Sequence, residues 1–306
     1  MPRPFLLLAV AVAVAGCARQ TTEGLPPGVE IEDLPDSEAW DVSFHTSADG
    51  KPQFQVEAPY LARYTLDSAY VYLGPPPGAT SSPVALRMFD GEGASRGSVR
   101  APEVWLYESE GRVVAQGGAR ATVETGEGAS VQAQRMTVQD GRIEASGDVQ
   151  ADVRGTSGAS VRARRLTMEA GRVEASGGVT ATVQSGGGAR VEAARLVTRP
   201  GGGFTASGGA TVQIQGSANA TVTARTVSGS GGRYTADGGV TVVTGGGKTL
   251  TAGRVVWDEA AGRFRAPGAF SFTGPGERVR GVGLVATADL SRYSFSRATG
   301  EIEVAE

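Results

Sequence analysis

Cys17 is the residue of this chain whose type and position most directly imply chemistry. It is the single cysteine among 306 residues, and it closes the run Val14-Ala15-Gly16-Cys17. Before it stand Met1, Arg3 and an 11-residue apolar stretch from Phe5 to Ala15, long enough for a secretion signal and too short to span a bilayer. A small residue ahead of a cysteine at the end of such a stretch is the lipobox pattern, in which the thiol is acylated and the preceding peptide bond is cut. The expectation is a signal peptide over residues 1–16 and a lipidated N-terminus at Cys17; the alternative is an ordinary secretion signal that happens to contain a cysteine. Two or three acyl chains on one residue anchor a protein stably in a membrane. No second cysteine is present for a disulfide, although the signal implies an oxidising compartment.

Beyond Cys17 the reactive residue types are scattered. His45 is the sole histidine, in a stretch that reads as the first strand, so a structural or surface role is expected and no His-rich metal site. Glycine runs at 186–188, 201–203 and 245–247 stand between strands rather than ahead of a helix, the wrong context for a phosphate-binding loop. Glu144 and Glu174 recur once per period on an outward phase, which suits a solvated face better than acid–base work. Arg112, Arg142, Arg172, Arg233 and Arg263 recur in the same way; they can pair with those acids or touch anionic lipid headgroups. Neither an enzyme nor a cofactor nor a metal site is expected. The net charge is only −3, and Lys and Arg form no basic block along the chain, so a nucleic-acid partner has no support.

The elements that hold these residues repeat. Gly141-Arg142-Ile143-Glu144-Ala145-Ser146-Gly147 returns 30 residues later as Gly171-Arg172-Val173-Glu174-Ala175-Ser176-Gly177. It returns again around Phe204-Thr205-Ala206-Ser207-Gly208, Tyr234-Thr235-Ala236-Asp237-Gly238 and Phe264-Arg265-Ala266-Pro267-Gly268. A fixed period of this size means stacked units that share one continuous core. Within Ile143–Val153 the odd positions are apolar or Gly and the even ones polar, the period of a half-buried strand. In the next stretch the apolar phase slips by one residue, between Ala163 and Leu166, between Ala133 and Met136, and between Ala193 and Leu196. A slip of phase needs a bulge or corner. Each unit is therefore expected to hold two or three short strands joined by a corner and glycine turns, in one all-β body almost free of helix.

The 46 glycines fall at fixed places in the period, as turn residues would. Residues 17–39 are polar, acidic and Pro-containing, which reads as a flexible tether with a span of roughly 25 Å. The inward phase supplies the candidate groove lining: Val131, Met136, Val138, Ile143, Val149, Val161, Leu166, Met168, Val173, Val179, Leu196 and Ile214. No Phe, Trp or Tyr occurs from Glu108 to Gly203, whereas aromatics gather toward both ends. Small inward residues suit two interiors equally, a packed one and a gutter that takes an apolar ligand.

The residues also carry a family resemblance. Ser160-Val161-Arg162-Ala163-Arg164-Arg165-Leu166 with Arg172-Val173-Glu174-Ala175-Ser176-Gly177-Gly178-Val179 resembles the OstA-like periplasmic proteins of lipopolysaccharide export, as does Thr249–Val256 with Tyr234-Thr235-Ala236-Asp237-Gly238-Gly239-Val240. Residues 40–117 look like the LptC branch, through Phe54-Gln55-Val56-Glu57-Ala58-Pro59, Val71-Tyr72-Leu73, Val84-Ala85-Leu86-Arg87-Met88-Phe89 and Ser98–Trp105. The tail, from Gly281-Val282-Gly283-Leu284 to Tyr293-Ser294-Phe295 and Gly300–Val304, resembles the family's closing strands. The resemblance implies an elongated, twisted antiparallel β-jelly roll with a V-shaped groove, its LptC-like region at 40–117 continuous with OstA-like repeats at 118–306. It implies a non-enzymatic role: acyl chains of lipopolysaccharide lie in the groove, and members join end to end by strand augmentation into a bridge fed by a membrane ABC transporter. Where that branch has an N-terminal transmembrane helix, this chain has the lipobox at Cys17. The expected place is the periplasm of a Gram-negative envelope, anchored through Cys17 to the inner or outer membrane. The alternative fold is a parallel β-helix solenoid, and the alternative function a structural or adhesin-like lipoprotein with no lipid cargo.

Overall fold

The computed structural model describes residues 34–48, 50–65, 69–79, 83–124, 128–154, 158–183, 189–214 and 219–302. Cys17 and residues 18–33 of the expected tether lie outside them. The chain opens with β1 (Ser37–Ala48) and β2 (Lys51–Tyr64), followed by the short strands β3 (Tyr70–Gly74), β4 (Val84–Phe89), β5 (Ser95–Ala101) and β6 (Glu103–Tyr107). Twelve longer strands follow: β7 (Arg112–Val123), β8 (Ala129–Gln139), β9 (Arg142–Val153), β10 (Ala159–Glu169), β11 (Arg172–Val183), β12 (Ala189–Thr198), β13 (Phe204–Ile214), β14 (Ala220–Ser230), β15 (Arg233–Thr244), β16 (Thr249–Asp258), β17 (Arg263–Gly274) and β18 (Glu277–Thr287). β19 (Tyr293–Ser294) and β20 (Arg297–Ile302) close the chain, and all twenty strands belong to one sheet.

The molecule is all-β, elongated and jelly-roll-like. From β7 to β18 each strand pairs antiparallel with the next, and β1–β2, β4–β5 and β18–β20 are antiparallel as well. A parallel β-helix, the alternative the repeat allowed, is thereby corrected: its strands would pair parallel across one full period, whereas here strands consecutive in the chain pair antiparallel.

The sheet divides into two walls. β2 pairs through Tyr60–Tyr64 with β3 and through Phe54–Glu57 with β4. β7 is shared in the same way, through Arg112–Gln116 with β6 and through Arg120–Val123 with β5. Each strand from β8 to β18 crosses from one wall to the other, and a register slip marks the crossing in each pair from β7–β8 to β17–β18. Between the pairs Gln132–Gln150 and Arg135–Ser146, β8 advances three residues and β9 four. The extra residue makes a β-bulge, which bends the strand without ending it. Ala133 and Met136 on one side, and Ala145 and Val149 on the other, can then all face inward.

The bulge explains the periodic glycines. Gly177 and Gly178 take φ of +87° and +82°, a region in which L side chains are strained. A Cβ on Gly177 would sit 2.9 Å from the Cβ of Arg164, so that position has no room for one. The second position is open, and in β9 Asp148 occupies it at φ +48°. The units therefore hold two long bent strands, of 11 and 12 residues in β8 and β9, rather than two or three short ones.

Aromatics serve different faces at the two ends. Near the N-terminus Tyr72 lies on the face of β3 opposite the core residues Val71 and Leu73, in a ladder with Tyr60 and Trp105 at 6.3 and 5.4 Å between rings. Toward the C-terminus Trp257 and Phe264 pack inside, 4.5 Å apart.

Candidate functional site

The space between the walls is the candidate site. One apolar cluster fills it from Val56 in β2 to Leu284 in β18, built largely of Val and Ala. Among the described residues Thr244 is the one buried polar residue outside the aromatic types, and the Trp257 indole Nε1 has no hydrogen-bond partner. Among the described residues no charged group lies within this interior, so it offers a hydrocarbon chain mainly dispersion contacts. Burial, and secondarily Glu259, raises the phenol of Tyr234 above its ordinary value.

The structure places the expected lining residues as follows. Val131, Met136, Ile143, Val149, Val161, Leu166, Val173, Val179 and Leu196 are buried between the walls. Ile214 lies at the wall tip, 9 % exposed, and Val138 and Met168 pack against the core while half-buried. Val123 and Val153 join these last two in a half-buried apolar seam at the hairpin tips, where the walls come together on the side away from the bulges. That seam is the mouth of the V. Val153 ends the inward phase read over Ile143–Val153 but was not among the expected lining residues, and continuing the alternation from Ala121 by one step would have found Val123.

The walls touch. The cavity in the mouth between Val153, Val161 and Val183 on one side and Val173, Thr198 and Phe204 on the other measures about 30 Å³. A second, beside Ile214, Tyr234 and Trp257, measures about 10 Å³. Such volumes hold about one or two waters, so the interior is packed in this conformation. Across the mouth between β7 and β14, among the described residues, no hydrogen bond or ion pair links one wall tip to the other. Apolar contact alone holds the walls together there.

The C-terminal end is stoppered. The turn Thr287–Arg292 carries Leu290, fully buried, into the interior. Lys248 Nζ donates to the Leu290 carbonyl at 3.0 Å, and Tyr293 Oη donates to Glu277 Oε2 at 2.6 Å. Asp289 accepts from Thr287 Oγ1 at 2.6 Å and from the Ser291 N–H and hydroxyl, which holds its carboxyl well below the usual range. Nothing in the period marks this stopper, because a lone leucine in a polar turn has no phase.

Three of the five recurring outward arginines pair with acids, one of the two roles open to them, and Arg233 and Arg263 form no ion pair among the described residues. Arg142 meets Glu144 at 2.7 Å, Arg172 meets Glu174 at 3.7 Å, and Arg112 meets Glu110 at 2.7 Å. His45 is exposed on β1, and no group of three possible metal ligands occurs among the described residues. Compared with known proteins, the chain matches no family model and no curated sequence.

Proposed function

We propose that this chain is a periplasmic lipoprotein that takes the acyl chains of lipopolysaccharide between its two walls and passes them along an export bridge. The observation that carries the reading is an interior running through the sheet from β2 to β18, uncharged among the described residues and closed at its mouth between β7 and β14 by apolar contact alone. An acyl chain needs a dry path of weak, repeated contacts, and Val/Ala walls supply one. Because the walls touch, cargo enters by parting the tips, with each strand flexing at its bulge. Separating two apolar faces costs dispersion and hydrophobic contact, and the inserted chain restores both. Lipid attachment at Cys17 would hold the body at a membrane, and partners in the bridge would be other jelly rolls and the components of an ABC transporter.

A photoreactive residue at Leu166, with Arg162 as the outward control, tests the reading directly. Leu166 is buried between the walls and Arg162 is exposed on the same strand. Lipopolysaccharide is expected to form an adduct at Leu166 and none at Arg162. Equal labelling at both, or none at either in a folded protein, would sink the cargo reading. The small size of the cavities favours a second reading, a structural lipoprotein with a permanently packed core, and an absent Leu166 adduct would point to it.

A further inference from the structure

The bulges also shape the outside of the molecule. Because the even-numbered strands slip phase there, two consecutive residues of each turn outward: Gln134 and Arg135 in β8, Arg164 and Arg165 in β10, Ala194 and Arg195 in β12, Arg225 and Thr226 in β14, Gly253 and Arg254 in β16. These positions line up along the ridge where the walls meet. Six of the ten are arginine and none is acidic, in a chain whose net charge is −3. Register sets one row of them: Arg135 faces Ser146, Ser146 faces Arg165, Arg165 faces Ser176, Ser176 faces Arg195, and Arg195 faces Ser207. Successive guanidinium groups thus stand two strands, roughly 10 Å, apart with a serine hydroxyl between them.

Part of this charge is already answered. Arg195 meets Glu174 at 2.6 Å, Arg254 meets Asp237 at 3.3 Å, and Asp148 is the other acid on the ridge. Arg135, Arg164, Arg165 and Arg225 are exposed and form no ion pair among the described residues. The aliphatic stem of Arg164 lies over Gly177, and that of Arg225 over Gly238, so the missing Cβ atoms give both stems a fixed bed.

From this geometry we infer that the ridge is a docking surface for an anionic phospholipid bilayer. Charge complementarity names the partner's sign. The composition of the ridge names its kind: no Phe, Trp or Tyr lies between Glu108 and Gly203, so this stretch has no ring on which a base or sugar could stack. What remains is a row of guanidinium and hydroxyl donors, which suits phosphate headgroups. The inference does not depend on the cargo reading, since the ridge lies on the side of the walls opposite the mouth.

The test is vesicle flotation of the chain from Ala18 to Glu306, which carries every described residue and no acyl group. It is expected to float with phosphatidylglycerol-containing vesicles, not with phosphatidylcholine vesicles, and to lose binding as salt rises. Arg135→Glu, Arg164→Glu and Arg165→Glu together should weaken partitioning by on the order of 100-fold, at roughly fivefold for each arginine. Arg142→Glu, Arg172→Glu and Arg199→Glu change the net charge equally at the wall tips and should leave binding largely intact. Circular dichroism and thermal melting check that both triples fold, and the matching Arg→Gln triple on the ridge gives the same readout if charge reversal unfolds the chain. Absence of binding to anionic vesicles at low salt, or equal loss in the two triples, would overturn the inference. So would binding to a soluble polyanion such as dextran sulfate without binding to vesicles, which would make the partner a glycan instead.

Discussion

Gly177 has to satisfy two conditions that no other residue type meets together. Its φ of +87° strains any L side chain, and a Cβ there would collide with Arg164. Gly178 meets only the first condition, and Asp148 shows that a short polar side chain tolerates the equivalent place. Gly177→Ala is therefore expected to lower unfolding free energy by about 1–3 kcal/mol, and Gly178→Asp by less than about 1 kcal/mol. Urea denaturation of the two variants checks this, and equal losses would mean that the bulge is not sterically closed at its first position. The glycine pairs are visible in the sequence as part of the period, where they suit corner turns equally well. A turn and a bulge both ask for positive φ, so residue type alone does not separate them. What separates them is that pairing with β12 resumes beyond the pair, with Ser176 opposite Arg195 and Val179 opposite Ala193.

At the scale of the element, the phase slip was the legible signal. Ala163 and Leu166 are three apart, yet both are buried, and the register shifts between them. The closing turn was not legible, because Leu290 and its hydrogen-bonded neighbours form no repeat. Its chemistry gives that turn a pH dependence. The hydrogen bond to Glu277, and then burial, push the Tyr293 phenol up to about 12. A raised folded value means that this contribution is complete below the ordinary tyrosine value of about 10 and is lost as pH rises through about 12. Tyr60, raised by burial and by its hydrogen bond to Glu38, adds to the same alkaline loss at the N-terminal end. Tyr293→Phe should thus show a shallower fall in unfolding free energy than the parent chain between about pH 10 and pH 12. Identical slopes would mean that the Tyr293–Glu277 hydrogen bond contributes nothing to the stopper.

At the scale of the whole molecule, the inward face could be read from the sequence and the charged ridge only as a recurrence of arginine at the 30-residue period. Val131, Val149 and Leu166 follow from alternation within single strands. Arg135, Arg165 and Arg195 lie 30 residues apart in the chain, and only the pairing of strands brings them into one row. Whether the interior is packed or hollow was also beyond the sequence, since Val and Ala line either kind, and the structure shows it packed. The central proposal is that cargo parts these walls at the bulges. The measurement closest to it is a distance between spin labels at Ser160 and Glu169, exposed residues on the two halves of β10, with and without lipopolysaccharide. Cys17 is the one native cysteine, so the chain from Ala18 accepts both labels cleanly. If acyl chains enter between the walls, β10 flexes at its bulge and the distance shifts by about 4 Å, one layer of carbon contacts. A distance that stays fixed while lipopolysaccharide is bound would place the lipid outside the walls and contradict the proposal.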